Sequence, residues 1–238
     1  MLLKISELII DFDTRYPDYV RRRCERYLVD SGTPVMSLRP CDEYVRLANR
    51  DNVGLMEAEL YAMTIPFSEQ LPMLGRLMTH GVAIECDGKA FIFTAGSGVG
   101  KSTHAFLWQK YLGDEHDVRV INGDKPILWF KDEGIMACGS PWSGKEHLDR
   151  NVCVPLKGVC LLQRLEASDN AVPNIRRASR EETLDFLMHQ VFIPNDAIRQ
   201  VKTLQMLGQL YDQVPVFHLA VDMSREAVMV SSGELLKN

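Results

Sequence analysis

Apolar residues come in short clusters separated by glycine, proline, asparagine and aspartate, and the period inside the clusters changes along the chain. Residues 2–12, rich in Leu and Ile, predict a first strand. In PDYVRRRCERYLVDSG, Pro17 marks a helix start, Tyr19, Val20, Tyr27 and Leu28 are the apolar positions, and Gly32 is the stop. PVMSLRP predicts a strand, and CDEYVRLANR a short helix with Asp42 as candidate cap. LMEAELYAMTIPFSEQLPMLGRLM is mostly helical in period and broken near Pro66 and Pro72. Residues 1–75 therefore read as an N-terminal α+β layer or subdomain, ahead of a nucleotide-binding domain over 76–238.

The second part has a different character. GVAIECDGKAFIFTAG is apolar, turn, apolar, with Asp87-Gly88 as a strong hairpin signal. Val82–Glu85 and Ala90–Thr94 are expected to be antiparallel strands. KSTHAFLWQKYL predicts a helix with Ala105, Phe106, Trp108 and Leu112 on its buried face. VRVING, PILWFK, GIMACGS, VPLKGVCLLQRLE and PVFHLAV predict further strands, with Lys131-Asp132-Glu133-Gly134 as one turn. SREETLDFLMHQVF and PNDAIRQVKTLQMLGQLYDQV predict helices, the first with Ser179 and Glu182 in capping-box positions. The expected class is α/β with a mixed sheet, several hairpins standing beside one strand–loop–helix unit.

Composition changes this picture little. The chain has 238 residues, 46% hydrophobic and 25% charged, with a formal net charge of -5, which gives no general reason to expect a nucleic-acid or membrane partner. Arg21-Arg22-Arg23 and Arg176-Arg177 sit among acids and read as solvated helix faces. Cys24, Cys41, Cys86, Cys138, Cys153 and Cys160 form no zinc-type spacing and read as reduced, mostly buried thiols of a cytoplasmic protein. The N-terminus has neither signal-peptide nor membrane-span character.

The chemistry concentrates in Ala95-Gly96-Ser97-Gly98-Val99-Gly100-Lys101-Ser102, a P-loop pattern with alanine in the first glycine's place. Glycines let backbone N–H groups converge on phosphate oxygens, and the following helix adds its positive end. Lys101 is placed for the β and γ phosphates, and the Ser102 hydroxyl for Mg²⁺. Gly96 through Thr103 are thus the candidate binding residues for ATP or another nucleoside triphosphate.

The run THGVAIECDGKAFIFTAGSGVGKSTHAFLWQ resembles the HPr kinase/phosphorylase catalytic domain, whose scaffold is shared with phosphoenolpyruvate carboxykinases. His80-Gly81-Val82, Asp87-Gly88, Phe91–Thr94 and Ala95–Ser102 carry the resemblance, which covers roughly residues 78–131 well. It implies a mixed-sheet P-loop fold of that type, Mg-ATP chemistry, and transfer to a serine-like hydroxyl on a protein, peptide or small molecule. In that family a strand ends in two aspartates that activate the acceptor hydroxyl and help hold the metal. Here Asp124 matches the second and Gly123 replaces the first. Asp124 is therefore the candidate base and, with Ser102, metal ligand, while Lys101 and His80 complete the catalytic set. Where the family carries glutamate after Gly-Lys-Ser, this chain has Thr103. The family's ring-like assemblies raise a homo-oligomer as a further expectation.

GSPWSGK, residues 139–145, offers backbone N–H groups, a Trp142 stacking face and the Lys145 charge; the competing reading is a tight turn with Trp142 in the core. His104, His147, His189 and His218 read as core or surface residues. Two alternatives to a kinase stay open. One is a nucleotide-binding regulatory module without phosphotransfer. The other is a carboxykinase-like enzyme using Arg119, Arg150, Arg164, Arg176 or Arg177 to capture a carboxylate.

Overall fold

The computed structural model describes residues 1–165 and 171–237, with Asp51 described in its backbone only. The N-terminal elements are β1 (Leu2–Ile5), β2 (Leu8–Phe12), α1 (Pro17–Arg23), β3 (Leu28–Val29), β4 (Met36–Leu38), α2 (Asp42–Ala48), α3 (Leu55–Ala62) and α4 (Thr64–Gln70). They are followed by β5 (Arg76–Met78), β6 (Val82–Cys86), β7 (Lys89–Thr94), α5 (Lys101–Leu112), β8 (Val118–Asn122), β9 (Ile127–Lys131) and β10 (Gly134–Cys138). The chain continues through β11 (Cys153–Arg164), β12 (Asn174–Arg177), α6 (Arg180–Met188), α7 (Ala197–Gln213), β13 (Val216–Val221) and α8 (Arg225–Leu235).

The α/β class with a mixed sheet is what the chain adopts. The N-terminal strands form one sheet in the order β3-β1-β2-β4. The second sheet runs β5-β9-β10-β11-β7-β6-β8, with β13 joined to β11 and β12 to β13. Long β11 organises it. Cys153 to Pro155 pair antiparallel with β10, whereas residues from Leu156 onward pair in parallel with β7 and β13. Strand β7, which leads into the glycine-rich loop, thus has one parallel and one antiparallel neighbour. Apolar side chains of β7 alternate between two cores, Ala90 and Ile92 on one face, Phe91 and Phe93 on the other.

Several expectations are corrected. Residues 2–12 are a hairpin, because Ser6 and Glu7 both take positive φ (49° and 64°) and fold the chain back between Ile5 and Leu8. The first helix ends at Arg23, well before Gly32; a 3-10 turn over Glu25–Tyr27 and β3 follow. Asp42 is the first residue of α2, with Cys41 at the cap position, and its carboxylate pairs with Arg15. Phe106 is 40% exposed. Arg176 and Arg177 lie on a strand, and Arg23 is turned inward toward Glu57. Strand β5 closes the stretch expected to be mostly helical, β12 holds the arginines expected on a helix face, and the terminal helix α8 corresponds to no expected element. The last residue of the expected VPLKGVCLLQRLE strand, Glu166, lies outside the described residues.

The cysteine expectation is also corrected in part. Cys138 and Cys153 are direct partners across the antiparallel β10–β11 register, so their side chains meet, and they form a disulfide. Cys24, Cys86 and Cys160 are buried free thiols and Cys41 an exposed one.

The N-terminal layer is joined to the larger sheet through shared core. Leu3, Ile5, Phe12, Leu60 and Phe67 form one apolar cluster with Ile127 and Trp142. Trp142 is wholly buried, its ring centroid 5.2 Å from that of Phe67 and its indole N–H donating to the Leu60 carbonyl at 2.7 Å.

Candidate functional site

Buried β7 delivers the chain into the loop over residues 95–100. Gly98 and Gly100 take φ of 79° and 114°, values a side chain would strain, and the second opens directly into α5. No side chain caps the α5 N-terminus and no acid lies in its first turn. Its first N–H groups and its positive end are therefore left to an incoming anion. The Lys101 ammonium donates to the carbonyls of Ala95 and Gly96 at 3.0 and 3.1 Å, folding across the mouth of the loop. Burial holds its pKa below the ordinary lysine value.

Helix α5 is pinned from behind. Trp108 donates to the Ser231 hydroxyl of α8 at 2.9 Å, and a His104 ring nitrogen lies 3.1 Å from the same oxygen. His104 meets the Phe93 ring edge-on, and burial pushes its pKa down to about 4. His104 thus serves as a core residue that fixes the helix.

Opposite the loop, β8 ends in buried Asn122. Its side-chain oxygen accepts from the N–H groups of Asp124 and Lys125 at 2.9 and 2.7 Å, and its amide donates to the Ser140 carbonyl at 2.8 Å. This Asx-type turn aims the Asp124 side chain out of the sheet. The Asp124 carboxylate lies 3.4 Å from His80 Nε2 and 3.7 Å from Lys125 Nζ. The two loops are joined again by Gly81 N–H donating to the Asp124 carbonyl at 2.9 Å. Burial, then the positive charges of Lys125 and Lys101, outweigh Asp124 and hold the His80 pKa well below its ordinary value. The surroundings of His80 thus disfavour its charged form.

Gly123 has a steric reason. A Cβ there would sit 2.6 Å from the Ser143 carbonyl oxygen, so the backbone leaves no room for a carboxylate at this position. The 139–145 loop that crowds it resolves the two readings of Trp142 in favour of the core. Ser140 and Ser143 are buried too, Ser143 donating to Asp149 at 2.8 Å. Only the end of that loop reaches the site. Gly144, Lys145, Glu146 and His147 line a cavity of about 1120 Å³ together with His80, Ser97, Gly98, Gly100, Lys101, Ser102, Thr103, Gly123 and Asp124.

The sequence-derived set is thus largely brought together. Gly96 contributes its carbonyl to Lys101, while Val99 packs against the apolar cluster beneath the loop. Ser102 and Asp124 both present hard oxygen donors to this one cavity, the donor type Mg²⁺ prefers. None of the candidate carboxylate-capturing arginines lines it: Arg119 pairs with Asp117, Arg150 with Glu85 and Arg176 with Glu182.

The opposite wall of the cavity was missed from sequence. It comes from α1, α2, α3 and the segment between the last two, and carries Tyr19, Tyr44, Leu47, Val53, Glu57 and Tyr61. The Tyr61 hydroxyl accepts from the Gly144 N–H at 2.9 Å, and burial holds its pKa up to about 12. The available signal was weak: Glu57 and Tyr61 stand four residues apart on one helix face.

No family model matches the sequence. No curated protein matches it either. Among solved structures, that of the Hpr(Ser) kinase/phosphatase from Coxiella burnetii is similar over 57% of this chain and 92% of that chain, at 13% identity and a TM-score of 0.28. At that TM-score the likeness supports no residue-by-residue transfer. Among the described residues no helix is long and apolar enough to cross a membrane.

Proposed function

We propose that this protein is an ATP-dependent phosphotransferase that moves the γ-phosphoryl group to a hydroxyl acceptor. One observation carries the reading: the Asp124 carboxylate, 3.4 Å from His80, shares a cavity with Lys101 and an uncapped α5 N-terminus. An anion site beside a positioned carboxylate is what phosphoryl transfer to an alcohol requires.

The loop N–H groups and Lys101 would hold the triphosphate, Lys101 exchanging the Ala95 and Gly96 carbonyls for phosphate oxygens. The acceptor oxygen forms a bond to the γ-phosphorus as the bond to the bridging oxygen breaks. The electron pair leaves with the nucleoside diphosphate, and the hydroxyl proton passes to Asp124. Neutral His80 orients that carboxylate and does not itself carry the proton. Ser102 and Asp124 are the residues that would hold Mg²⁺, which when bound neutralises phosphate charge. Thr103 adds no carboxylate to them.

A regulatory binding module needs no positioned base, and a carboxykinase-like activity needs an arginine in the cavity, so the phosphotransferase ranks first. The test is Mg-ATP turnover with a panel of alcohols. Asp124→Asn is expected to lower transfer by a factor on the order of 10²–10⁴ with binding of metal-free ATP little changed. Unaltered turnover in that variant, or nucleotide binding with no transfer to any alcohol, counts against the reading.

A further inference from the structure

We propose that the wall formed by Tyr19, Tyr44, Glu57 and Tyr61 is the acceptor subsite, and that it selects an alcohol carrying an ammonium group and a short aliphatic stem. The inference rests on the phosphotransfer reading for the fate of the hydroxyl, but the recognition it describes is a property of the wall itself.

Position comes first. The Tyr61 hydroxyl is fixed on the Gly144 N–H, and Gly144 in turn abuts Asp124: a Cβ on Gly144 would lie 3.2 Å from the Asp124 Cβ. A molecule held against Tyr61 therefore has its hydroxyl beside the carboxylate assigned as base. The phosphate loop occupies the other side of the same cavity, so donor and acceptor approach from opposite walls.

Chemistry comes second. Glu57 stands on α3 one turn before Tyr61, with its side chain 19% exposed. Its nearest cation, Arg23 Nε, is 3.9 Å away, beyond hydrogen-bond reach, and Arg23 Nε and Nη2 are buried with no hydrogen-bond partner. Burial holds the Glu57 carboxyl above its usual range, and charge on His147 only partly offsets this. A half-buried carboxylate among phenol rings matches an ammonium group: the charge pairs with Glu57 and the ring faces add cation–π attraction. Leu47 and Val53, 39% and 45% exposed, offer apolar surface on the same wall for an aliphatic stem. An anionic acceptor would face Glu57 and Glu146, with only Lys145 beside them to offset the charge, and a neutral polyol would leave Glu57 with no charge partner beyond Arg23 at 3.9 Å.

The experiment uses three compounds of one carbon skeleton: leucinol, the corresponding diol and the corresponding hydroxy acid. Each is titrated by ligand-observed NMR into the full chain without nucleotide. Leucinol is expected to bind at least about tenfold more tightly than the other two, a preference that Glu57→Gln collapses to about two- to threefold. Thermal melts of the variant establish that it is folded. Equal binding of all three, tighter binding of the hydroxy acid, or an undiminished preference in Glu57→Gln overturns the assignment. Should that happen while ATP is still turned over on other alcohols, the phosphotransfer reading survives alone. Selective, Glu57-dependent leucinol binding with no phosphoryl transfer supports the subsite and counts against the phosphotransferase.

Discussion

The two walls of the cavity are built by different means. The wall proposed to hold phosphate is local: one strand, one loop and one helix, consecutive in sequence, with backbone N–H groups as its proposed binding atoms. The opposite wall is assembled from α1, α2, α3 and the segment between the last two; its side chains are the proposed binding atoms, and their positions depend on how the N-terminal layer docks. A backbone site needs particular residues at fixed offsets and leaves a motif. A side-chain wall needs only suitable surfaces brought together, and leaves none.

Trp142 is where the contrast can be broken with the largest effect, since it carries the docking of the N-terminal layer but lines neither wall. Trp142→Ala removes a wholly buried ring and the donor to the Leu60 carbonyl. A loss of about 3–5 kcal/mol in urea unfolding is expected. In the fraction that remains folded, leucinol binding should fall sharply while binding of a fluorescent ATP analogue stays within a few-fold of the parent. Equal loss of both ligands would show that the walls are one unit.

That contrast explains what could be read from sequence. The glycine loop over residues 95–100, the Asp87-Gly88 turn and the Ser179–Glu182 capping box were legible, each being a local backbone requirement met by characteristic residues. The Ser6-Glu7 turn was not, because positive φ there is taken by residues that seldom adopt it. Helix α8 ends in a polar-looking stretch, yet Ser231 and Ser232 are buried, and Ser231 bonds to Trp108. The Cys138–Cys153 pairing depends on strand register, and the Gly123 substitution on a carbonyl twenty residues further along. Of the candidate site, His80, Lys101, Ser102 and Asp124 were named in advance; Glu57 and the tyrosines depended on tertiary docking.

Acid sharpens the same comparison with a somewhat smaller effect, because a buried group behind one wall and a half-buried group on the other titrate with opposite sign. His104, behind the phosphate wall, has its pKa pushed down to about 4. Above about 6.5 its contribution to stability is full; as pH falls toward 4 the unfolded chain takes up a proton that the native state refuses, and stability declines by about 3 kcal/mol. Glu57, on the far wall, is shifted upward, so its contribution is full below the ordinary carboxylate pKa and declines as pH rises through its raised value. Urea unfolding at stepped pH in chelator-treated buffer measures both. His104→Gln should flatten the decline on the acid side, and Glu57→Gln should be at least as stable as the parent at neutral pH. A steep acid slope surviving in His104→Gln would place the sensitivity elsewhere.

The smallest expected effect falls on the seam, where Tyr61 of one wall holds Gly144 beside Asp124. Tyr61→Phe keeps the ring and removes only the oxygen that accepts from the Gly144 N–H. The stability cost should be about 1 kcal/mol, that of one intramolecular hydrogen bond. Freed of that tether, Gly144 would no longer hold the proposed acceptor-side loop against Asp124. The consequence belongs in the acceptor KM, raised several-fold, with the KM for ATP unmoved. The pH profile of turnover should keep its shape, since a phenol held at about 12 stays protonated throughout the working range. A shift in the ATP KM instead would mean that the loop over 139–147 serves the phosphate side, and the boundary between the walls would then run through α3 and no longer through Gly144.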